Sequence, residues 1–164
     1  MNLHIRPVCD HDIEDLLQLS LLAWAPVFES FEQVLGHAIY TLIYPDWQTS
    51  QRSGVESVIK DTQKFSVLVA EVNGVVVGFI AYELNLQEKT GEVQLLAVHP
   101  AYQNQEIGTE LNIFALRKMQ ESGMKLAVVG TGGDPSHAPA RRSYEKAGYT
   151  GLPLVRYYKD LTEK

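Results

Sequence analysis

Few features of this sequence assign it to a class by themselves. The 164 residues include a single cysteine, Cys9, which excludes an internal disulfide, and no Cys/His spacing typical of a zinc site occurs. The Gly-Lys-Ser/Thr ending of a P-loop and the GxGxxG pattern of a dinucleotide site are both absent. We therefore expect no disulfide framework, no metal and no nucleotide triphosphatase activity.

Basic residues are scarce as well. The chain carries 14 Lys and Arg against 20 Asp and Glu, a net charge of -6, which disfavours binding to a nucleic-acid backbone. No apolar run approaches the ~20 residues needed to span a bilayer. The N-terminus lacks a basic region followed by an apolar stretch, so no signal peptide is predicted. The sequence thus predicts a cytoplasmic protein with neither nucleic acid nor membrane as partner.

What the chain does contain is a regular alternation of strand and helix patterns. Apolar and alternating runs predict strands at residues 3–6, 65–71, 75–84, 92–98, 125–129 and 149–159. Asn73-Gly74 between two of these runs predicts a β-hairpin. Helical spacing predicts helices after an N-cap at Asp10 and at residues 28–36, 49–61, 106–122 and 138–147. Gly123 and Gly148 follow the last two helices, as glycine commonly does.

This order of elements predicts one α/β (α+β) domain spanning residues 1–164. We expect a twisted, mixed and mostly antiparallel sheet of about six or seven strands, flanked by about four or five helices. Residues 92–98 and 125–129 are joined through a helix and should therefore run parallel, with a right-handed crossover.

The segment from residue 101 to residue 109 is the first candidate site. It lies between a strand and a helix, so the unpaired N–H groups at the helix N-terminus point into the loop, where they can bind a phosphate. Gly108 would permit close approach of the ligand. A strand, loop and helix with one such glycine is equally consistent with an ordinary structural crossover.

A second segment makes the first more specific. Residues 140–149, ARRSYEKAGY, resemble the A-x-x-x-Y-E-K-x-G-F/Y signature of the GNAT superfamily of acetyl-CoA-dependent N-acyltransferases. The loop from Gln103 resembles that family's Q/R-x-x-G-x-G/A signature, and Ala97-Val98-His99-Pro100 stands where the family has its strand end. The two segments are separated by a helix, a strand and a loop, as in the family, and the resemblance covers residues 65–150.

The resemblance implies both a co-substrate and a reaction. Acetyl-CoA would be the co-substrate, no metal would take part, and the acetyl group would pass by direct attack to a primary amine, preferably of a small molecule. The parallel strands would splay apart to admit the pantetheine arm, and a backbone N–H near Ala97 or Val98 would stabilise the oxyanion. Tyr144 would protonate the departing thiolate. The residues implied to bind the co-substrate are Leu96, Ala97, Val98, Gln103, Asn104, Gln105, Glu106, Ile107, Gly108, Thr109, His137 and Tyr144.

The general base is left open between two carboxylates. An alkylamine with a pKa of ~10.4 is only about one part in 2,500 neutral at pH 7, a deficit of roughly 4.6 kcal/mol, so a base should help. Glu92 shares a strand face with Gln94 and is the first candidate, although it could equally be an exposed strand-end carboxylate. Glu29 is the second candidate, with a solvated helix position as the alternative. His99 and Asp134 are better explained as structural residues.

The sequence departs from the family at two positions. Glu106 replaces the first loop glycine, and a positive φ there would cost about 1 kcal/mol. His137 replaces an asparagine that contacts pantetheine. Arg141, Arg142 and Lys146 could supply the positive charge that the loop lacks, or could form a solvated face. These departures motivate an alternative, a CoA-binding or regulatory module with impaired catalysis; acetylation of a protein N-terminus or lysine is a further one.

By resemblance, the domain divides into three parts. Residues 1–64 would form the acceptor-side helices, residues 65–150 the acetyl-CoA-binding core and residues 151–164 a C-terminal strand, which leaves a homodimer open. Six aromatic residues in the first part could line an acceptor pocket or simply pack in the core: Trp24, Phe28, Phe31, Tyr40, Tyr44 and Trp47.

Overall fold

Strands of the central sheet follow one another in space as they do along the chain. The computed structural model describes residues 2–162. Five strands, β1 (Leu3–Pro7), β2 (Phe65–Val72), β3 (Val75–Asn85), β4 (Thr90–Val98) and β5 (Leu126–Val129), form the sheet in the order β1-β2-β3-β4-β5. The helices are α1 (Ile13–Leu35), α2 (His37–Ile43), α3 (Trp47–Lys60), α4 (Ile107–Glu121) and α5 (Ala138–Lys146). Short 3-10 turns occupy Asp10–Asp12, Pro100–Tyr102 and Pro135–His137.

The first four strands pair antiparallel, whereas β4 and β5 pair in parallel. The predicted hairpin between β2 and β3 is confirmed: Asn73 and Gly74 both have positive φ, at 51° and 81°, as the tight turn requires. The mixed, mostly antiparallel sheet is therefore confirmed, with five strands among residues 2–162 rather than six or seven.

The pairing between β4 and β5 covers only half of β4. It runs from Thr90 opposite Leu126 to Val93 opposite Val129 and then stops. At that point Gln94 is an extra residue in β4, because Val93 lies opposite Tyr82 while Leu95 lies opposite Ala81. Within residues 2–162, the second half of β4 thus has no strand on its β5 side, which confirms the predicted splayed parallel pair.

Each face of the sheet is covered by helices. On one face, α4 buries Ile107, Leu111, Ala115 and Met119 against strand residues such as Ile80 and Val93. On the other face, Leu16, Leu17 and Leu19 of α1 pack with Val55 and Ile59 of α3 against Val69 and Phe79. The spacing of these buried residues follows the helical repeat, so burial of one apolar stripe accounts for each helix.

Helix α1 differs from its prediction in its length and in its N-cap. It is one helix of 23 residues that continues through Pro26, where the sequence predicts two separate segments. Its apolar face is continuous from Leu16 to Phe28, and packing of that face outweighs the hydrogen bond lost at the proline. Asp10 is not an N-cap, because it is the first residue of a 3-10 turn that is capped by Cys9. No helix within residues 2–162, α1 included, is both long and apolar enough to cross a membrane.

The predicted C-terminal strand is wrong for the residues that can be described. Residues 151–162 contain no strand, and residues 163–164 lie outside the described part of the chain. Pro153 has no N–H to donate to a ladder, and no strand of the sheet within residues 2–162 pairs with this segment. Its apolar side chains are consequently exposed, Leu152 to 81% and Tyr157 to 88%.

A partly buried ion pair fastens the start of α1 to the sheet. Arg6 of β1 donates two hydrogen bonds to the Asp12 carboxylate, at 2.7 and 2.9 Å, and a third to Glu71 of β2 at 3.1 Å. Asp12 is only 2% exposed and also accepts the backbone N–H of Cys9. The hydrogen bonds from Arg6 hold the pKa of Asp12 below its ordinary value, despite the opposing effect of burial.

Asp12→Asn should destabilise the fold by roughly 2 kcal/mol, because Arg6 keeps its charge but loses its two-point partner. Equilibrium denaturation at pH 7 measures this loss. Since the folded pKa of Asp12 is lowered, its contribution is complete above its unfolded pKa near ~3.9 and is lost as pH falls through the folded value. The difference between the two proteins should therefore shrink in acid. Glu14→Gln, which breaks the exposed pair with Arg52, is the control and should leave the midpoint nearly unchanged.

Candidate active site

A cavity of about 640 Å³ opens where β4 and β5 separate. Its floor is the half of β4 that does not pair with β5, from Gln94 to Val98. Its walls come from elements on both sides of the sheet. The walls are formed by Ala23, Trp24, Pro26 and Val27 of α1, Gln51 of α3, residues 102–104 and 106–109, Gly130 and Thr131, Ser136 and His137, and Pro139, Ala140, Arg142, Ser143, Tyr144 and Lys146. The cavity is therefore a groove that crosses the edge of the sheet.

The backbone of β4 presents free hydrogen-bonding groups to this groove. The N–H of His99 donates to Val77 of β3 at 2.8 Å. Because the direction of backbone groups alternates along a strand, the N–H of Ala97 also points to β3, while those of Leu96 and Val98 point to the gap. The side chain of Gln103 donates to the Val98 carbonyl at 3.0 Å and so fixes the loop against the end of the strand.

The loop before α4 turns sharply through two residues in the left-handed region. Asn104 has φ 60°, and Glu106, the N-cap of α4, has φ 63°. The first N–H groups of the helix are thereby directed into the cavity that Ile107, Gly108 and Thr109 line. A Cβ added at Gly108 would lie 3.2 Å from Ser143 Oγ, so glycine here permits close packing of α4 on α5.

Positive charge reaches this end of the cavity from α5. Lys146 binds the Glu106 carboxylate at 2.5 Å, and this hydrogen bond lowers the pKa of Glu106. Arg142 also lines the cavity, whereas Arg141 turns away and donates to the carbonyls of Gly132 and Asp134. The sequence left open whether these three cations supply charge to the cavity or form a solvated face. Arg142 and Lys146 line the cavity, whereas Arg141 hydrogen-bonds to a neighbouring turn.

Tyr144 projects from the middle of α5 into the cavity. Its side chain is 9% exposed, and its hydroxyl has no hydrogen-bond partner among the described residues, although it is not sealed from the cavity that Tyr144 lines. Burial, followed by the neighbouring Tyr149, raises the pKa of Tyr144 well above the ordinary value. The hydroxyl therefore keeps its proton at neutral pH.

His137 lies at the N-terminus of the same helix and is held by a carboxylate. Its Nδ1 is 2.5 Å from Asp134 Oδ1, and the ring of Phe31 in α1 stacks on it at 5.7 Å. Asp134 also caps the turn by accepting the Ser136 N–H, as its sequence position suggested. The three-residue spacing is the only sign of the His137–Asp134 pair in the sequence, and that spacing is equally typical of a simple cap.

The structure brings most of the predicted site residues together. All of the predicted co-substrate residues line the cavity except Gln105, whose side chain donates to the Ala101 carbonyl. Neither of the predicted general bases, Glu92 and Glu29, lines the cavity. Glu92 lies in the paired half of β4 among Glu83, Glu88 and other residues of a shallow polar depression, and Glu29 is exposed on α1. His99 caps the turn after β4 through Ala101, in agreement with a structural role.

The aromatic residues of the first 50 positions mostly pack on one another. Phe28 stacks on Trp47 at 4.5 Å, and Phe31 stacks on Tyr44 at 5.5 Å. Of the six aromatic residues considered, Trp24 lines the cavity. The alternative of core packing therefore describes the others better than an aromatic pocket does.

Three residues offer ligand atoms that a metal ion could use in principle. The donor atoms of Cys9, His11 and Asp12 lie within 4.8 Å of one another. Both carboxylate oxygens of Asp12 are already bound by Arg6, so this group does not fit a metal centre. It also lies outside the cavity.

Comparison with known families identifies the same region. The model of the acetyltransferase (GNAT) family matches residues 22–149. A mycothiol acetyltransferase from Streptomyces bingchenggensis is 32% identical over 94 residues, and the match covers 57% of this chain but 30% of that protein. An uncharacterised N-acetyltransferase from Archaeoglobus fulgidus is 31% identical over 107 residues, which cover 60% of this chain and 71% of that protein. The chain thus spans less than a third of the mycothiol acetyltransferases that it resembles.

Solved structures share the fold at low identity. The PaiA N-acetyltransferase of Thermoplasma acidophilum, in complex with coenzyme A, superposes with a TM-score of 0.70 at 19% identity, covering 92% of this chain and 91% of that chain. An aminoglycoside acetyltransferase from an uncultured soil metagenomic sample, in complex with sisomicin, gives a TM-score of 0.61 at 21% identity, with 98% and 97% of the two chains covered.

Glu106→Gly should tighten the binding of coenzyme A several-fold. The change removes a carboxylate beside the expected pyrophosphate, frees Lys146 to bind it, and places glycine in a left-handed conformation that glycine adopts without strain. Isothermal titration calorimetry measures the dissociation constant. Glu110→Gln removes a carboxylate from the same helical turn outside the cavity and should change the affinity less. Unchanged or weaker binding by Glu106→Gly would contradict this account of the loop.

Proposed function

The chain belongs to the GNAT acetyltransferase family, and we propose that it transfers the acetyl group of acetyl-CoA to a primary amine of a small molecule. The observation that carries the proposal is the groove at the separated strands, because one cavity combines three features. These are an unpaired strand edge, a helix N-terminus with two cations nearby, and a buried tyrosine.

Two parts of acetyl-CoA, the pyrophosphate and the pantetheine arm, would have matching surfaces in this groove. The pyrophosphate would lie at the N-terminus of α4, where backbone N–H groups and the helix dipole favour an anion, Arg142 adds positive charge, and Lys146 neutralises Glu106. The pantetheine arm carries amide groups, which can pair with the outward-facing backbone of β4 as a further strand would. That pairing is available beyond Val93, because the pairing of β4 with β5 ends at that residue.

The reaction follows from the same arrangement. The amine nitrogen attacks the thioester carbonyl, and the oxygen becomes negatively charged while the C–N bond forms. The N–H of Val98 points into the gap and is a better oxyanion donor than the N–H of Ala97, which is directed at β3. As the C–S bond breaks, the Tyr144 hydroxyl gives its proton to the thiolate.

The acceptor end of the cavity favours an amine on a weakly charged, partly apolar body. It is lined by Ala23, Trp24, Pro26 and Val27, with the amide groups of Gln51 and Gln94. Glu106 is the carboxylate among the described residues that line the cavity, and it is paired with Lys146 at the opposite end. A substrate with many positive charges would find no matching anion here, so a monoamine fits better than a polyamine or an aminoglycoside.

A thiol-release assay with acetyl-CoA and a panel of amines tests this function. We expect turnover with monoamines that carry an apolar group, and weaker turnover with polycationic amines. Tight coenzyme A binding without turnover on any amine would favour the alternative of a binding or regulatory module, and turnover confined to peptides would favour a protein acceptor. Failure to bind coenzyme A would contradict all three.

Tyr144→Phe should lower kcat by about 10²-fold or more at pH 7 while leaving the affinity for coenzyme A almost unchanged, because the ring remains and only the donated proton is lost. Since the pKa of Tyr144 is raised, deprotonation of this residue should not reduce wild-type kcat below about pH 9.5. Tyr149→Phe is the matched control, because its ring contacts Tyr144 but it does not line the cavity. Full turnover by Tyr144→Phe would remove Tyr144 from the mechanism.

We propose further that two copies of the chain associate through residues 151–162 and the edge of β5. Residues 151–162 expose a row of apolar side chains, and Leu126 and Val128 on β5 are exposed to 58% and 40%. β5 is the last strand of the sheet and has no partner on its outer side within residues 2–162. A second copy would cover both surfaces, since exposed strand edges readily accept another strand.

The cytoplasmic location expected from the sequence stays a prediction.

Size-exclusion chromatography with light scattering tests the association. We expect a dimer for the full chain at micromolar concentration and a monomer for a chain that ends at Thr150. Substitution of Leu86, an exposed residue in the loop before β4, by serine is the control for loss of surface apolarity and should leave the dimer intact. A monomeric full chain would contradict the proposal.

A further inference from the structure

His137 is a cavity residue that the reaction described above does not use, and it is paired with Asp134. His137 lines the cavity, and its side chain is 15% exposed while that of Asp134 is 10% exposed. The two side chains meet at 2.5 Å, through Nδ1 and Oδ1. An imidazole and a carboxylate, both largely buried and in contact, form an arrangement that can orient a base.

Several other groups hold Asp134 in this position. Its Oδ2 accepts the hydroxyl of Ser30 in α1 at 2.8 Å, together with the hydroxyl and the N–H of Ser136. Burial alone would raise the pKa of Asp134, but the hydrogen bonds from Ser136, Ser30 and His137 outweigh it and lower the pKa to about 2. Asp134 is thus a carboxylate at neutral pH, so Nδ1 of His137 must carry the proton of their hydrogen bond.

The loop before the pair is shaped to admit it. A Cβ added at Gly132 would lie 2.5 Å from His137 Nδ1 and would also collide with Asp134 Oδ1. Arg141 donates to the carbonyls of Gly132 and Asp134, at 2.6 and 2.9 Å, and fixes the backbone around both side chains. A helix cap needs only the contact between Asp134 and the Ser136 N–H, so these additional contacts serve the position of the imidazole.

The second ring nitrogen is free to act. With Nδ1 protonated, Nε2 of His137 carries the lone pair. It accepts no hydrogen bond from the described residues, and it is not among the buried polar atoms left without a partner, so it opens to the cavity. Phe31 stacks on one face of the ring, with centroids 5.7 Å apart. Both Ser30 and Phe31 belong to α1, the helix that also lines the acceptor end.

We propose that His137 is the general base that takes a proton from the acceptor amine, and that Asp134 is the residue that positions it. This inference rests on the proposed acetyl transfer. The ammonium form of the substrate loses two protons during the reaction. Nε2 of His137 takes the first and passes it to solvent, which allows the nitrogen to attack the thioester carbon. The second replaces the proton that Tyr144 has given to the departing thiolate.

The charged surroundings of His137 are few. Asp134 faces it from the preceding turn, and Arg141 reaches the same turn from α5. On α1, Ser30 and Phe31 are uncharged, Glu32 is paired with His37 at 2.7 Å, and Glu29 is exposed. Among these groups Asp134 makes the direct contact with the imidazole.

The family resemblance offers a different role for His137, because asparagine at this position contacts pantetheine. His137→Asn separates the two roles. If His137 is the base, this variant should lose about 10²-fold in kcat/KM for the amine at pH 7 and keep the wild-type affinity for coenzyme A. The loss should diminish as pH rises, because the amine then supplies its own neutral form. Asp134→Asn should act in the same direction with a smaller loss.

The nuclear magnetic resonance signals of the imidazole nitrogens provide a readout that is independent of activity. We expect the Nδ1–H tautomer for His137 in the free protein and a change of tautomer in Asp134→Asn. His37→Asn, which alters an exposed histidine outside the cavity, is the matched control and should change neither kcat/KM nor the pH profile.

The inference is overturned if His137→Asn keeps wild-type kcat/KM and pH profile, if its main effect is weaker binding of coenzyme A, or if wild-type His137 is the Nε2–H tautomer. Turnover by the wild type in any of these cases leaves the proposed acetyl transfer intact. Absence of turnover on every amine, with coenzyme A still bound, instead overturns the proposed function and the role of His137 with it.

Discussion

The loss of hydrogen bonding between β4 and β5 after Val93 is the constraint on which the site depends. Up to that residue the two strands form an ordinary parallel pair, and beyond it the side of β4 that faces away from β3 has no strand partner within residues 2–162. An extra residue at Gln94 turns the strand at the same point. A buried backbone edge of this kind is stable only if water or a ligand pairs with it, and acetyl-CoA has the amide groups to do so. The loop before α4 and the helix α5 converge on this gap.

Much of the fold follows from patterns that are local in the sequence. The Asn73-Gly74 turn, the helical spacing in α4 and the glycines after α4 and α5 each act over a few residues, and all agree with the structure. The limits of the prediction arise where a distant contact decides the outcome. The sequence predicts two helical segments where the structure has one, because packing of α1 on the sheet lets the helix continue through Pro26. Residues 151–162 look like strand material, but within the described part of the chain they have no strand to pair with.

The same distinction explains the candidate site. The residues predicted to bind the co-substrate lie in segments that the family resemblance singles out, and all but Gln105 line the cavity. The sequence could not show which carboxylates reach the cavity, because that depends on strand register. Glu92 belongs to the half of β4 that is closed by β5, whereas the cavity begins at Gln94. Asp134 was recognisable as a cap, but its contacts with Ser30 and His137 depend on α1 lying against the turn before α5. Glu106 shows a further effect of long-range contacts, since Lys146 on α5 offsets a charge that the loop alone would leave beside a phosphate.

Helix α1 lines the cavity and also supports the His137–Asp134 pair. Ala23, Trp24, Pro26 and Val27 line what we propose as the acceptor end, and one turn later Ser30 and Phe31 contact Asp134 and His137. A rotation or shift of this helix that admitted a larger acceptor would also move the groups around the imidazole. Changes in substrate range would therefore be coupled to changes in the optimum pH, and divergence of this chain toward new amines should favour substitutions in α3 or in the loop at Thr131, which can reshape the cavity without disturbing that support.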